Sequence, residues 1–157
     1  MLMTWLPLPS FKDSVTCLSD EHLGSLRYHV LEIMEYMHQP EDSQLPISYT
    51  GHEVYEDSPI IQMWKGYELQ LIEYGLEACE VWAARHNDKN KMYEKLSLHL
   101  DWAATEDANM GKPNWFGEIE FHLSHQAELL RQDRMFYKEH FSWDGDRPLV
   151  WPVSDVA

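Results

Sequence analysis

Arg27, Tyr28 and His29 are three consecutive residues that could take part in chemistry, and they lie in the stretch LGSLRYHVLEI at 23–33. An imidazole moves protons near neutral pH, and a guanidinium binds phosphate or carboxylate through two parallel hydrogen bonds. With about 100° between helical residues, Arg27 and His29 fall on opposite shoulders of an apolar stripe. His22 and Tyr36 share the shoulder of His29. The alternative interpretation is structural, with both shoulders forming the polar boundary of a core helix.

A second cluster lies in FHLSHQAELLR at 121–131. His122 and His125 are one helical turn apart, so their rings could share a ligand, a phosphate or a metal ion. No HExxH pattern accompanies them and no third ligand can be named, so structural histidines are favoured over zinc and we predict no metal site. Arg131, lower on the same helix, suits a carboxylate or phosphate partner.

Motifs of the common hydrolases and nucleotide-binding proteins are absent from the sequence. It contains no GxSxG, P-loop or GxGxxG motif and no recognisable Cys-His-Asn signature, and we predict no cofactor. Aromatic residues at helical spacing are expected in the core. The aromatic residues of loops and tail that could instead form stacking surfaces are Tyr49, Tyr55, Trp115 and Trp143.

Four helices must position these residues, and apolar residues recurring at intervals of three and four predict them. The first is capped by Ser19, reaches Met37 and is stopped by Pro40. The second is predicted as one long helix that begins at Ser58 and Pro59 and continues through Trp82. The third spans 91–104 and the last spans 118–132.

Irregular segments surround these helices. An extended arm at 5–11 is punctuated by prolines, 38–58 reads as a long surface loop, and the tail after 137 is irregular. The residues expected to pack the two ends onto the helices are Trp5, Leu6, Phe11, Phe141, Trp143 and Trp151. We therefore predict an all-α fold, a single compact helical domain over 1–157 with an irregular, aromatic-rich N-terminal arm and C-terminal tail.

The charge balance constrains the partners. The chain of 157 residues has 12 Lys and Arg against 27 Asp and Glu, a formal charge of −15. Such a surface repels phosphate polymers and anionic membranes, so binding to nucleic acid depends on local patches. The basic residues around which such patches could form are Arg27, Lys65, Arg131 and Arg134.

The cysteines and the N-terminal segment indicate a compartment. Cys17 and Cys79 lie within apolar-periodic segments, as expected of two reduced, buried thiols in a cytosolic protein. The N-terminal segment has no cationic region and is broken by Pro7 and Pro9, and no apolar run is long enough to span a bilayer. We expect a cytoplasmic, soluble protein with no membrane partner.

Four segments in order resemble one family, the small helical proteins related to pyrimidine-dimer DNA glycosylase of the phage endonuclease V type, in particular their bacterial and phage relatives. TWLPLPSF at 4–11 resembles the family's opening Thr-Phe-Leu-Pro-x-Pro-x-Phe, and LSDEHLGSLRYHVLEI resembles its Leu-x-x-x-x-Leu-Gly-x-x-Arg-x-Glu helix. SPIIQMWKGYELQLIEYGLEACEVW at 58–82 is similar to His-Pro-x-x-x-Met-Trp-x-Gly-Tyr-x-x-x-Leu-x-x-Tyr-Gly. FHLSHQAELLRQDRMFYKEHFSW, with VWP at 150–152, resembles the family's Phe-His-x-Ser-His-x-x-x-Leu-Leu-Arg stretch and Trp-Pro end.

The resemblance implies an endonuclease V-like helical domain and a DNA repair reaction. In this class an α-amino group attacks the sugar carbon and forms an imine, which suits an amine of pKa about 8. A helix-borne glutamate stabilises the cationic intermediate and moves protons for strand cleavage. The resemblance implies Arg27 and Thr4 as catalytic residues, with Tyr28, Trp64, His122, His125 and Arg131 contacting substrate.

This chain departs from the pattern at three points. His29 occupies the glutamate position, and its imidazole carries no negative charge to offer a cationic intermediate. The chain begins Met1-Leu2, so Thr4 becomes N-terminal only if translation starts at Met3. Ser58 stands where the family often has His.

Two hypotheses follow. In the first, the protein is a DNA glycosylase and abasic-site lyase for damaged or modified bases, with His29 as an altered acid or base. In the second, it is a catalytically silent acidic relative whose retained groove binds a protein, a modified nucleotide or a small anion. A third, weaker alternative is a histidine-based metal hydrolase. A replacement carboxylate could come from Glu32, Glu118 or Glu120.

Overall fold

The computed structural model describes residues 2–39, 54–107, 109, 111–143 and 146–156. Eight helices lie within these ranges. In chain order they are α1 (Phe11–Cys17), α2 (Asp20–Met37), α3 (Pro59–Trp64), α4 (Glu68–His86), α5 (Lys91–Ser97), α6 (Leu100–Glu106), α7 (Ile119–Gln132) and α8 (Arg134–Tyr137). No strand occurs within those ranges. The predicted all-α fold, a compact helical domain, is confirmed.

The predicted first helix is α2. The Oγ of Ser19 accepts a hydrogen bond from the backbone N–H of His22 at 3.3 Å, as expected of an N-cap. The apolar face of α2 packs on α4, where Gly75 allows a close approach of the two helices. A Cβ at this glycine would lie 2.7 Å from Cγ1 of Val30 on α2. The two long helices therefore form the centre of the domain.

The single helix predicted from Ser58 to Trp82 is wrong, because the chain breaks between α3 and α4. Gly66 has a left-handed backbone with φ of 84°, and its N–H donates to Oε1 of Glu68 at 2.8 Å. A Cβ at Gly66 would lie 2.5 Å from Val156, so the C-terminal tail packs where a side chain would stand. The apolar period continues across this break, and for that reason the pattern did not reveal it.

The helix predicted over 91–104 is also two helices. The chain turns at Leu98 and His99, where the N–H of His99 donates to the carbonyl of Leu96. The turn brings Nδ1 of His99 to 2.8 Å from Nδ1 of His38, whose ring stacks on Trp102. This contact joins the end of α2 to the start of α6.

The two ends of the chain partly match the prediction. The arm is extended at its start, but Phe11 begins α1 instead of ending the arm, because Oγ of Ser10 caps that helix by accepting from the N–H of Asp13. In the tail, Phe141 is buried and Trp151 packs partly buried on the core. Trp143 contacts α8, where the guanidinium of Arg134 lies 4.6 Å from the centroid of its ring, but it is 52% exposed and so covers the helices with only part of its surface.

The predicted last helix is confirmed as α7, with Glu118 at its N-cap, whereas α8 was not predicted. Both cysteines are free thiols, as predicted, but only Cys79 is buried, whereas Cys17 at the end of α1 is half-buried. Burial raises the pKa of Cys17 to about 11 and that of Cys79 to about 12, so both stay protonated. Among the described residues, no helix has the length and apolar character needed to cross a bilayer.

Candidate functional site

The two sides of α2 carry different parts of the candidate site. Arg27 and His29 are both buried, with 8% and 6% exposure, whereas Tyr28 between them is 48% exposed. Arg27 and Tyr28 line a cavity of about 550 Å³ that His29 does not reach. His29 instead contacts the N-terminal arm. The three residues therefore face two surroundings, as the helical wheel predicted.

His29 holds the start of the arm. Its Nδ1 lies 3.1 Å from the backbone nitrogen of Met3 and 3.0 Å from the carbonyl oxygen of the same residue. The ring accepts from the N–H in one tautomer and donates to the carbonyl in the other. The indole of Trp5 packs between this ring, at 5.5 Å, and the ring of His22, at 4.7 Å. The shoulder of α2 that carries the histidines is thus covered by residues 3–5.

Thr4 lies inside the domain. Its side chain is fully buried, and its Oγ1 accepts a hydrogen bond from Nε1 of Trp64 at 3.0 Å. Trp64 is itself fully buried, so the residue predicted to contact substrate positions the arm in this structure. Leu2 and Met3 precede Thr4 and are also buried, and the nitrogen of Thr4 is a peptide nitrogen here.

His122 and His125 both bind the peptide groups of Leu6. The N–H of Leu6 donates to Nδ1 of His125 at 2.9 Å, and Nδ1 of His122 donates to the carbonyl of Leu6 at 2.8 Å. The N–H of Gly117 donates to Nε2 of His122, which fixes that ring as a neutral tautomer. Burial lowers the pKa of His122 and lowers that of His125 to about 3. Contact of these two residues with substrate stays a prediction.

Arg131 already has partners. Its guanidinium pairs with Oε2 of Glu128 at 2.6 Å and donates to the carbonyl of Arg147 at 2.8 Å. Arg147 in turn forms an ion pair with Glu120. Binding of an anion by Arg131 stays a prediction. A phosphate there would compete with Glu128 for the guanidinium.

Carboxylates and metal-binding groups complete the set of sequence candidates. Glu32 lies one turn after His29 on α2 and is 1% exposed, whereas Glu118 caps α7 at the surface. Within the described ranges, no group of three or more His, Cys, Asp or Glu side chains could hold a metal ion. Of the carboxylates that could replace the family's glutamate, Glu32 is the one that lies on the same helix as His29.

The candidate stacking residues have different surroundings. Trp115 is buried and donates through Nε1 to the carbonyl of Met63, so its prediction as a stacking surface is wrong. Tyr55 is exposed, and Tyr49 lies outside the described residues. Trp82 packs against Arg27 at the cavity, and its helical spacing, which is typical of a core residue, gave no signal of this role.

The structure thus defines an all-α domain in which the helix-borne imidazole of His29 meets the N-terminal arm at Met3. The family model described as pyrimidine dimer DNA glycosylase matches residues 2–95, which are 94 of the 157 residues, and the chain belongs to this family. The family gives the chain a DNA glycosylase-like function and DNA as its class of partner. No curated protein and no solved structure matches the chain. The match covers the arm, Arg27 and His29 but ends before His122, and a single family domain over 1–157 stays a prediction.

Proposed function

We propose that the protein is a DNA glycosylase and abasic-site lyase that acts on damaged or modified bases, with His29 in place of the family's glutamate. The observation that carries the proposal is the contact between Nδ1 of His29 and the backbone of Met3 at 3.0 to 3.1 Å. The helix position that resembles the family's acid thus lies against the segment that would supply the amine. Arg27, on the other side of α2, is available for a DNA phosphate.

Thr4 is the proposed amine. The Met3 carbonyl oxygen lies 3.0 Å from Nδ1 of His29, and this oxygen is about 2.3 Å from the Thr4 nitrogen across the amide bond. The Thr4 nitrogen is therefore no more than about 5.3 Å from the imidazole, within reach through one water molecule. In a chain that begins at Thr4, this nitrogen would be a primary amine beside a base that can accept its proton.

The reaction would then use the residues as follows. The amine nitrogen bonds to C1′ of the sugar, the bond to the damaged base breaks, and the base leaves with the bonding electron pair and takes a proton from solvent. His29 takes up the proton that the amine loses. The nitrogen lone pair then opens the sugar ring: the C1′–O4′ bond breaks, O4′ takes the proton from His29, and C1′ becomes the carbon of the cationic imine. Because imidazole cannot stabilise the cationic imine, we propose that the buried carboxylate of Glu32, one turn further along α2, supplies the negative charge.

The test is borohydride trapping on DNA with an abasic site or a pyrimidine dimer. We would compare the chain as printed with a chain that begins at Thr4, each N-terminus being verified by mass spectrometry. The Thr4 chain should form a covalent adduct, and acetylation of its α-amine should abolish it. H29A should slow trapping by about 10²- to 10⁴-fold, whereas H29E should retain it.

Absence of an adduct from every form, while an active family member traps the same DNA, would reject the proposal. The second candidate, a silent binding protein, would then account for the data. One observation favours it: Leu2 and Met3 are buried at the place where an amine would have to meet substrate. A protein partner also remains a proposal, and it is compatible with the charge of −15.

A further inference from the structure

We infer that the cavity on the Arg27 side of α2 is a phosphate-binding site in which Lys89, Lys91 and Lys95 bind phosphates of the DNA backbone. The identification of DNA as the source of phosphate rests on the proposed function. This cavity, named here the cationic pocket, is lined by Arg27, Tyr28, Trp82, Asp88, Lys89, Lys91, Met92 and Lys95. A basic patch around Arg27 was predicted from the sequence, but these three lysines were not.

The charge of the cationic pocket is opposite to that of the protein. Four of its lining residues are cations and one is an acid, whereas the whole chain has 12 Lys and Arg against 27 Asp and Glu. One third of all lysines and arginines, four of 12, thus line a cavity of about 550 Å³. A local positive field of this kind attracts anions that the rest of the surface repels.

Arg27 is the buried anchor of the cationic pocket. It is 8% exposed, and its Nε has no hydrogen-bond partner in the described chain. Its guanidinium lies 4.1 Å from the ring centroid of Trp82 and 5.6 Å from that of Tyr28, so two aromatic rings hold it. Neither ring neutralises its charge. A buried guanidinium with an unused donor favours an anion from outside the chain.

The three lysines of the cationic pocket are not paired with carboxylates. Within the described ranges, Lys89, Lys91 and Lys95 form no ion pair, whereas Lys65 pairs with Glu56. This leaves the charges of the three pocket lysines available to a ligand.

The acid in the pocket wall has its own partners. Asp88 accepts from the N–H of Asn90 at 2.7 Å and from Nε1 of Trp82 at 3.3 Å. Asn87 and Asn90 have left-handed backbones, with φ of 53° and 59°, and shape the tight connection between α4 and α5 that carries Lys89. Asp88 therefore holds the loop that carries Lys89 and leads into α5, on which Lys91 and Lys95 lie.

The shape and composition of the cationic pocket indicate phosphodiesters as ligands. Several cations spread over one open cavity suit successive phosphates along a strand, and the half-exposed ring of Tyr28 offers a surface for a base or sugar. The pocket lies on the other side of α2 from His29, so binding of the backbone and chemistry at the arm would use different residues.

The test is the salt dependence of binding to an undamaged, fluorescently labelled duplex. The slope of log K against log salt is negative, and each of K89Q, K91Q and K95Q should make it less steep by about 0.9. This change corresponds to about 8-fold weaker binding at 0.1 M salt. K138Q is the matched control, because Lys138 lines a different cavity and its loss should leave the slope unchanged. All four lysines are exposed, and thermal melting would verify that the variants fold.

A second arm separates DNA from free phosphate, with inorganic pyrophosphate as the probe. Binding of pyrophosphate but not duplex, with loss in K89Q, K91Q and K95Q, would keep the phosphate site and assign it to a small anion. Unchanged affinity for both probes in all three variants, or no binding of either probe by the wild type, would overturn the inference. Because the duplex carries no lesion, failure of borohydride trapping leaves this result unaffected.

Discussion

Acidification should destabilise this protein through His125. The ring is 2% exposed, and its Nδ1 accepts a hydrogen bond from the N–H of Leu6, so the folded state requires the neutral form. Burial, helped by the neighbouring His122, lowers the pKa of His125 to about 3, whereas an unfolded histidine has a pKa of about 6.5. Between these values the unfolded chain binds the extra proton. The contribution of neutral His125 to the free energy of unfolding is therefore fully present above pH 6.5 and is lost progressively as the pH falls toward 3.

The magnitude follows from the two pKa values. Between pH 7 and pH 5 the protonation of the unfolded chain changes the folding equilibrium by a factor of about 25, or about 2 kcal/mol from His125 alone. Protonation at Nδ1 also turns the acceptor for Leu6 into a donor, and the arm would lose one of its hydrogen bonds to α7. His122, whose pKa is also lowered, adds to the loss in the same direction.

The assay is urea unfolding followed by tryptophan fluorescence at pH 7 and pH 5, at equal ionic strength, for wild type and H125N. The Oδ1 of asparagine can accept the Leu6 hydrogen bond from near the position of Nδ1 but does not titrate. H125N should be less stable at pH 7, because its smaller side chain leaves space beside Phe121. Its loss between the two pH values should nevertheless be smaller than that of wild type by about 2 kcal/mol. Equal losses in the two proteins would refute the assignment of a neutral, buried His125.

Two further predictions concern packing and the thiols. Gly75→Ala should lower the free energy of unfolding by about 1–3 kcal/mol, because its Cβ would lie 2.7 Å from Val30, whereas Gly111→Ala meets nothing within 4 Å and should stay near wild type in the same denaturation assay. Cys17 and Cys79, with pKa values raised to about 11 and 12, should react slowly with a disulfide reagent at pH 8 and rapidly in denaturant. Fast labelling of the folded protein would contradict the raised pKa of both thiols.

Some helix boundaries followed from local sequence signals. Ser19 has a side chain that caps a backbone N–H, and the residues after it keep one apolar face, so α2 could be predicted from within its own sequence. The break at Gly66 could not, because its close partner is Val156 in the tail. Periodicity describes one helix at a time and carries no information about a segment that packs on it from far along the chain.

The candidate site shows the same division. The sequence by itself determined that Arg27 and His29 occupy opposite shoulders of one helix, because helical geometry alone sets that angle. Only the tertiary structure decided what each shoulder faces: the arm at His29, and Trp82 with a cavity at Arg27. The one-turn spacing of His122 and His125 allowed their rings to share a partner, with structural histidines favoured, and the partner in the fold is the backbone of Leu6, more than 110 residues away. Spacing along a helix places side chains together, but their partner is chosen by whichever segment the folded core brings against them.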